Sequence, residues 1–155
     1  MLFGEMDSKD QAIIKILRED ARASTKSIAE RLNYPRVTVH DRIKRLSERG
    51  IIERFTTELS NEKLGLPLRA FIHANWEGER ARKDRRSVAQ DIAHLPFVTA
   101  CHIVTGRWDF IIEVVAKGMD GLGDSILDDL SKIEGMGHTQ TMVSFYSFNG
   151  SAHGV

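Results

Sequence analysis

Three amphipathic helical stripes between residues 8 and 49, then strand-like and helical segments in the order β-α-β-β-α-β, predict an α+β fold built from two modules. Charge separates the modules as well. Residues 22–54 carry nine Lys/Arg against four Asp/Glu, whereas residues 101–155 carry three against seven, although the 155-residue chain is neutral overall with 22 charges of each sign. A basic segment joined to an acidic one points to two modules with different partners.

The first helix is expected in "SKDQAIIKILRED", with Asp7 or Ser8 capping its free amides and Ala12, Ile13, Ile16 and Leu17 as its dry stripe. "DARAS" breaks that period, and Ser24 opens a second helix, "TKSIAERL", whose dry positions are Ile28, Ala29 and Leu32. "NYP" is a turn, and Pro35 suits the first position of a third helix because its missing N–H would be unpaired there. That helix runs to about Arg49 with Val39, Ile43 and Leu46 as its stripe, and Gly50 stops it. "IIERFTTEL", residues 51–59, is β-branched and aromatic and reads as a wing-like strand.

Two short helices joined by a tight turn, the second one basic, form a helix-turn-helix, here of winged-helix-like type. The second helix of such a pair lies in the major groove of double-stranded DNA. With 39/43/46 packed inward, the opposite face carries Arg36, Val37, His40, Asp41 and Lys44. Arg and His can donate to guanine edges, and Val37 can touch a thymine methyl group. Thr38, Arg42 and Arg45 lie on the flank, where phosphates are expected. Ser24, Thr25 and Lys26 stand at a helix N-terminus, whose amides and dipole favour a phosphate.

A polar stretch, "FTTELSNEKLG", precedes the composition shift, so the domain boundary is placed near Asn61: residues 1–60 form the DNA-binding module, 61–148 the second module and 149–155 a tail. Strands are expected at 66–76, 97–106, 109–117 and 138–148, and helices at 79–95 (Val88, Ile92, Leu95 dry) and 120–133 (Leu122, Ile126, Leu130, Ile133 dry). This order is ferredoxin-like. Apolar residues on both faces of its strands call for a second cover, and a second copy of the chain is the expected one.

The quoted motifs resemble those of the Lrp/AsnC (feast/famine) transcription regulators. "DARAS" (20–24), "IAERL" (28–32), "TVHDRIKRL" (38–46) and "GII" (50–52) follow the family's DNA-binding module, with Pro35 where the family usually has Ser. "TGRWD" (105–109) and "GMGHTQT" (135–141) follow its effector domain, with Met136 for the usual Val. The resemblance covers about residues 7–147 and implies a homodimer, a ring-like octamer, and a small amino acid bound between dimers. By that resemblance Gly106, Asp109, Thr139 and Thr141 are expected to bind the effector, while Arg107 and Trp108 shape selectivity. Asp109 can pair with an α-ammonium group, and amides around Gly106 can receive a carboxylate. Arg107, two residues away, is the basic group expected on Asp109 when no ligand is bound.

Other classes find less support. Cys101 is the only cysteine, so a reducing compartment is expected. The N-terminus shows no signal-peptide pattern and no apolar run approaches a bilayer span, so a cytoplasmic chain without membrane contact is expected. Cys101 and His102 are strand neighbours pointing to opposite faces and cannot form a nucleophile–base pair. The histidines lack metal spacing, no glycine-rich phosphate loop occurs, and no cofactor or enzyme activity is expected. Two alternatives stand beside the regulator reading. One is a sirohaem-decarboxylase-like enzyme on the same fold, of whose motif "SFNGSAHGV" is a weak echo. The other is an effector-sensing adaptor without DNA binding, opposed by the basic segment.

Overall fold

The computed structural model describes residues 6–78 and 82–148. The chain folds as two compact units that divide between Glu58 and Leu59. Residues 79–81, at the start of the expected fourth helix, and the tail from 149 lie outside the described residues.

In the first unit, α1 (Ser8–Glu19) is capped by Asp7, whose carboxylate accepts the Asp10 N–H at 2.9 Å. α2 (Thr25–Leu32) is capped by Ser24, whose hydroxyl accepts the Ser27 N–H at 3.1 Å. Asn33 leaves α2 in the left-handed conformation (φ 53°), which lets the Tyr34 N–H close back on the Ala29 carbonyl at 2.9 Å. Pro35 then stands one position earlier than expected, at the cap of α3 (Arg36–Glu48). Ile13, Ile16, Ile28, Ala29 and Val39 form the core, bordered by Leu17, Leu32 and Ile43. Gly50 stops α3 at φ 70°, with the Ile51 and Ile52 N–H groups both donating to the Leu46 carbonyl.

The strand expected at 51–59 does not form; residues 53–60 carry no regular structure. Its sequence has β propensity, but a strand exists only through a pairing partner. The first unit has no strand among its described residues. Phe55 and Leu59 are left exposed.

The second unit contains β1 (Leu68–Trp76), α4 (Arg85–Ala93), β2 (Val98–Ile103), β3 (Phe110–Ala116), α5 (Met119–Asp124) and β4 (Met136–Ser144). The strands form one antiparallel sheet in the order β2-β3-β1-β4, the ferredoxin-like topology. α5 does not continue as one α-helix to 133: a wide π-type turn (Ser125–Asp129) and a 3-10 turn (Leu130–Lys132) follow it. Ser125 and Ser131 donate their hydroxyls to the Gly121 and Leu127 carbonyls, a competition with the helical ladder that bends helices.

Register decides which side chains share a face. Ala70, Ile72 and Ala74 of β1 pair with Val114, Ile112 and Phe110 of β3, and with Val143, Thr141 and Thr139 of β4. This face meets Val88 and Ile92 of α4 with Leu122 and Leu130, forming the main core. The other face is mixed rather than mostly apolar: Phe71 lies between Glu113 and Met142, and His73 between Ile111 and Gln140. No helix among the described residues is long and apolar enough to cross a membrane.

Candidate functional site

On α3, Arg36, Val37, His40, Asp41 and Lys44 are exposed on the side away from Val39 and Leu46, and Thr38 is half-buried beside them. Val37 is 71 % exposed, a solvent-facing apolar side chain in a charged surround. The Arg36 Nε–H points to the Thr25 Oγ1 at 3.4 Å, joining the start of α3 to the start of α2. Lys26 and Lys44 each meet a glutamate one turn on, Glu30 at 3.9 Å and Glu48 at 3.8 Å. Such exposed pairs are worth little and leave the ammonium groups available to a stronger anion.

Arg42 and Arg45, expected to face phosphates, turn back onto α1. Arg42 Nη1 lies 2.7 Å from Asp7 and 2.8 Å from Asp10, and Arg45 Nη2 lies 3.4 Å from Asp10. Asp10 is buried, so its charge requires these partners. The Arg42 bond, with the Asp10 N–H beside it, holds the Asp7 carboxyl below its ordinary 3.8, and the two aspartates keep Arg42 firmly protonated. Arg42 is thus a joint between helices. Arg45 is half-exposed and retains a free edge.

In the second unit, "TGRWD" links β2 to β3, with Gly106 at φ 118°. Arg107 does not reach Asp109. Its guanidinium lies over the Trp108 ring at 5.3 Å, and its carbonyl accepts the Asn75 side-chain N–H at 2.9 Å. Trp108 also packs against His73 and His138, with centroids 5.7 and 5.8 Å away. Asp109 is held from elsewhere: Oδ2 accepts the Trp76 N–H at 2.9 Å, and Oδ1 pairs with Arg85 Nη2 at 3.2 Å. Arg85 in turn lies 5.1 Å over the Trp76 ring. Thr139 and Thr141 sit on β4 opposite Ala74 and Ile72, on the helix-facing side of the sheet, whereas Trp108 packs with two histidines of the other side.

Asp10, Asn75, Trp76 and Arg85 carry this geometry, and none was expected at a functional site from the sequence. Arg85 lies in the run "RARKDRR", which looks like any solvated cationic stretch. The Asp84 cap before it was the available signal, since it puts Arg85 in the first turn of α4. Cys101 and His102 do alternate across the sheet, opposite Ile112 and Ile111. Burial pushes the Cys101 thiol up to about 11, so it is neutral at pH 7 and a poor nucleophile. Among the described residues no group of three or more His, Cys, Asp or Glu side chains could hold a metal ion.

Sequence profiles match both units: a winged helix-turn-helix DNA-binding domain over residues 6–53 and the Lrp/AsnC ligand binding domain over residues 69–150. An uncharacterized HTH-type transcriptional regulator of Pyrococcus horikoshii is 39 % identical over 140 residues, covering 90 % of this chain and 93 % of its own. One from Pyrococcus abyssi is 40 % identical over the same shares. Among solved structures, a transcriptional regulator of Neisseria meningitidis in complex with L-Met superposes with a TM-score of 0.85 at 25 % identity, over 95 % of this chain and 94 % of that one. E. coli AsnC shares the fold at a TM-score of 0.82 and 22 % identity, over 92 % and 93 %. With a DNA-binding helix-turn-helix in front of a ferredoxin-like ligand-binding unit, the chain belongs to the Lrp/AsnC family of transcription regulators.

Proposed function

We infer that this regulator binds double-stranded DNA sequence-specifically as a homodimer, and that a small amino acid modulates its assembly or its DNA affinity. The observation that carries the DNA reading is the exposed Arg36, Val37, His40 and Lys44 face on a helix anchored through Arg42 to buried Asp10. A helix fixed in this way offers cations and one methyl-reading side chain to the groove without reorganising. Ser24, Thr25 and Lys26 supply phosphate contacts at the start of α2.

Assembly through the second unit is favoured by the uncovered side chains of its outer sheet face and of the segment after β4. Met142 is exposed beside Phe71, and Phe145 is 90 % exposed. A second copy is the economical cover, and dimers of this kind assemble further into an octamer in the resembled family. The effector reading draws on the ligand-binding profile, on the L-Met complex of the Neisseria relative, and on the charged pair beside the "TGRWD" loop. Its mechanism is linkage: an effector with different affinities for two assemblies shifts their populations and so shifts DNA affinity.

Fluorescence anisotropy with the DNA upstream of the chain's own gene, at two salt concentrations and with each of the twenty amino acids, tests the reading. Retention of that duplex against a scrambled one, altered by one amino acid, is the expected result. Equal affinity for both duplexes at each salt concentration sinks the sequence-specific part.

A further inference from the structure

The cations of α3 are partnered unequally. Arg42 and Arg45 reach Asp10, and Lys44 lies 3.8 Å from Glu48. Arg36 has no carboxylate partner among the described residues and donates its Nε–H to the Thr25 hydroxyl instead. We propose that Thr25 is a positioning residue for DNA specificity: it holds the Arg36 guanidinium so that Nη1 and Nη2 face a guanine edge. This inference rests on the DNA reading above and names a residue that sets base preference through another.

The fold builds this contact, since its two residues are not neighbours in the chain. Asn33, left-handed at φ 53°, and the bond from the Tyr34 N–H to the Ala29 carbonyl turn the chain between α2 and α3. Ala29 and Val39 then share a core, and the first residues of the two helices, Thr25 and Arg36, meet at 3.4 Å. α2 does not need the Thr25 hydroxyl for itself. Ser24 caps that helix by accepting the Ser27 N–H at 3.1 Å, which leaves Thr25 Oγ1 for a partner outside α2. Thr25 is half-buried and branched at Cβ, so few rotamers are open to it, whereas Arg36 is exposed. The fixed member of the pair therefore orients the mobile one.

A hydroxyl suits this task better than a carboxylate. A carboxylate takes two N–H groups of a guanidinium and opposes its charge, so it competes with the base. A neutral hydroxyl oxygen accepts one N–H and leaves the charge undiminished. In Arg36 the committed donor is the Nε–H. The Nη1 and Nη2 edge keeps two parallel donors, the pattern that guanine O6 and N7 accept. An arginine loses much rotamer freedom when it docks, and a fixed point beside the guanidinium removes part of that loss before DNA arrives. The Thr25 O–H stays available as a donor to a phosphate, so one hydroxyl can serve a backbone contact and a base contact together.

Full-length wild type selects duplexes from a randomised library, and anisotropy then measures the selected duplex and its single-pair variants against wild type, Thr25→Val, Thr25→Ser and Arg36→Ala. Wild type is expected to prefer a guanine pair in each half-site by about fivefold to a hundredfold, and Arg36→Ala to lose that preference. Thr25→Val should cut the same preference about threefold to tenfold at that pair alone, and Thr25→Ser should retain it. Thr25→Val added to Arg36→Ala should have no further effect on it. Weakening of every duplex by one factor in Thr25→Val, with the guanine preference intact, would make Thr25 a phosphate contact only and overturn the proposal. An unchanged Thr25→Val would overturn it too, as would a guanine preference that survives Arg36→Ala. If wild type selects no sequence from the library, the sequence-specific reading itself fails and this inference falls with it, an outcome distinct from the others.

Discussion

Arg42 Nη1 stands 2.8 Å from the buried carboxylate of Asp10, joining the middle of α3 to the first turn of α1. The pair ties recognition to folding. A charge buried as Asp10 is cannot be left unpaired, so the orientation of α3 is set as much by this contact as by Val39 and Leu46. Replacing Asp10 with Ala should destabilise the first unit by about 3 kcal/mol, the lower end for a broken buried ion pair, because Arg42 is partly exposed and can reach water. Denaturant melts of Asp10→Ala and wild type measure it. An unchanged midpoint would show that α3 is held by apolar packing alone.

The exposed face should separate from the joint in DNA binding. Arg36→Ala and His40→Ala are each expected to cost about 1–3 kcal/mol per half-site and to relax base preference. Lys26→Ala should weaken all duplexes alike and flatten the dependence on salt. Arg42→Ala should act mainly through stability. Anisotropy titrations at several salt concentrations resolve the three patterns, and wild-type affinity in Arg36→Ala would mean that a different face of α3 enters the groove.

Phe71 and Met142 are cross-strand partners on the outer face of the sheet. If a second copy covers this face, Phe71→Asp or Met142→Asp places a carboxylate in an apolar contact and should shift the full-length chain toward monomer, with weaker DNA binding because two half-sites are no longer held together. Sedimentation velocity reads the assembly directly. A dimer that survives both substitutions must be built on another surface.

Two capping aspartates give the stability a defined acid limb. The Arg42 bond lowers the Asp7 carboxyl below 3.8, and the Ser87 N–H does the same for Asp84. A depressed carboxyl contributes fully above its unfolded value and loses that contribution as pH falls through the folded one. Both units should therefore hold this contribution at neutral pH and lose it below about pH 4. Asp7→Asn should flatten the acid limb of the first unit's melting curve, since the amide still caps α1 but no longer titrates against Arg42. An acid limb as steep as that of wild type would assign it to other carboxylates.

Much of the architecture was legible because its signals are local. The stripes of α1, α2 and α3 each lie within a few turns, the Ser24 cap and Gly50 stop are read from single residues, and the strand order follows from alternation and turns. The motif "TGRWD" marked the loop before any coordinate was needed. Three assignments depended on contacts between residues distant in the chain. Residues 51–59 have the composition of a strand, but pairing is a property of two segments, and this unit supplies no second one among its described residues. Arg42 reads in the sequence as a flanking residue facing phosphates, and only the packing of α3 on α1 brings it to Asp7 and Asp10. Asp109 had an obvious neighbour in Arg107, two residues away, yet the sheet turns that side chain onto Trp108 and brings Arg85 to the carboxylate instead. Sequence by itself determined most of the element types, their order and the surface on which charge is concentrated, since periodicity and composition act over a few residues. Tertiary structure decided which charges are joints and which are free, because a salt bridge depends on separation in space, and folding sets that separation independently of spacing along the chain.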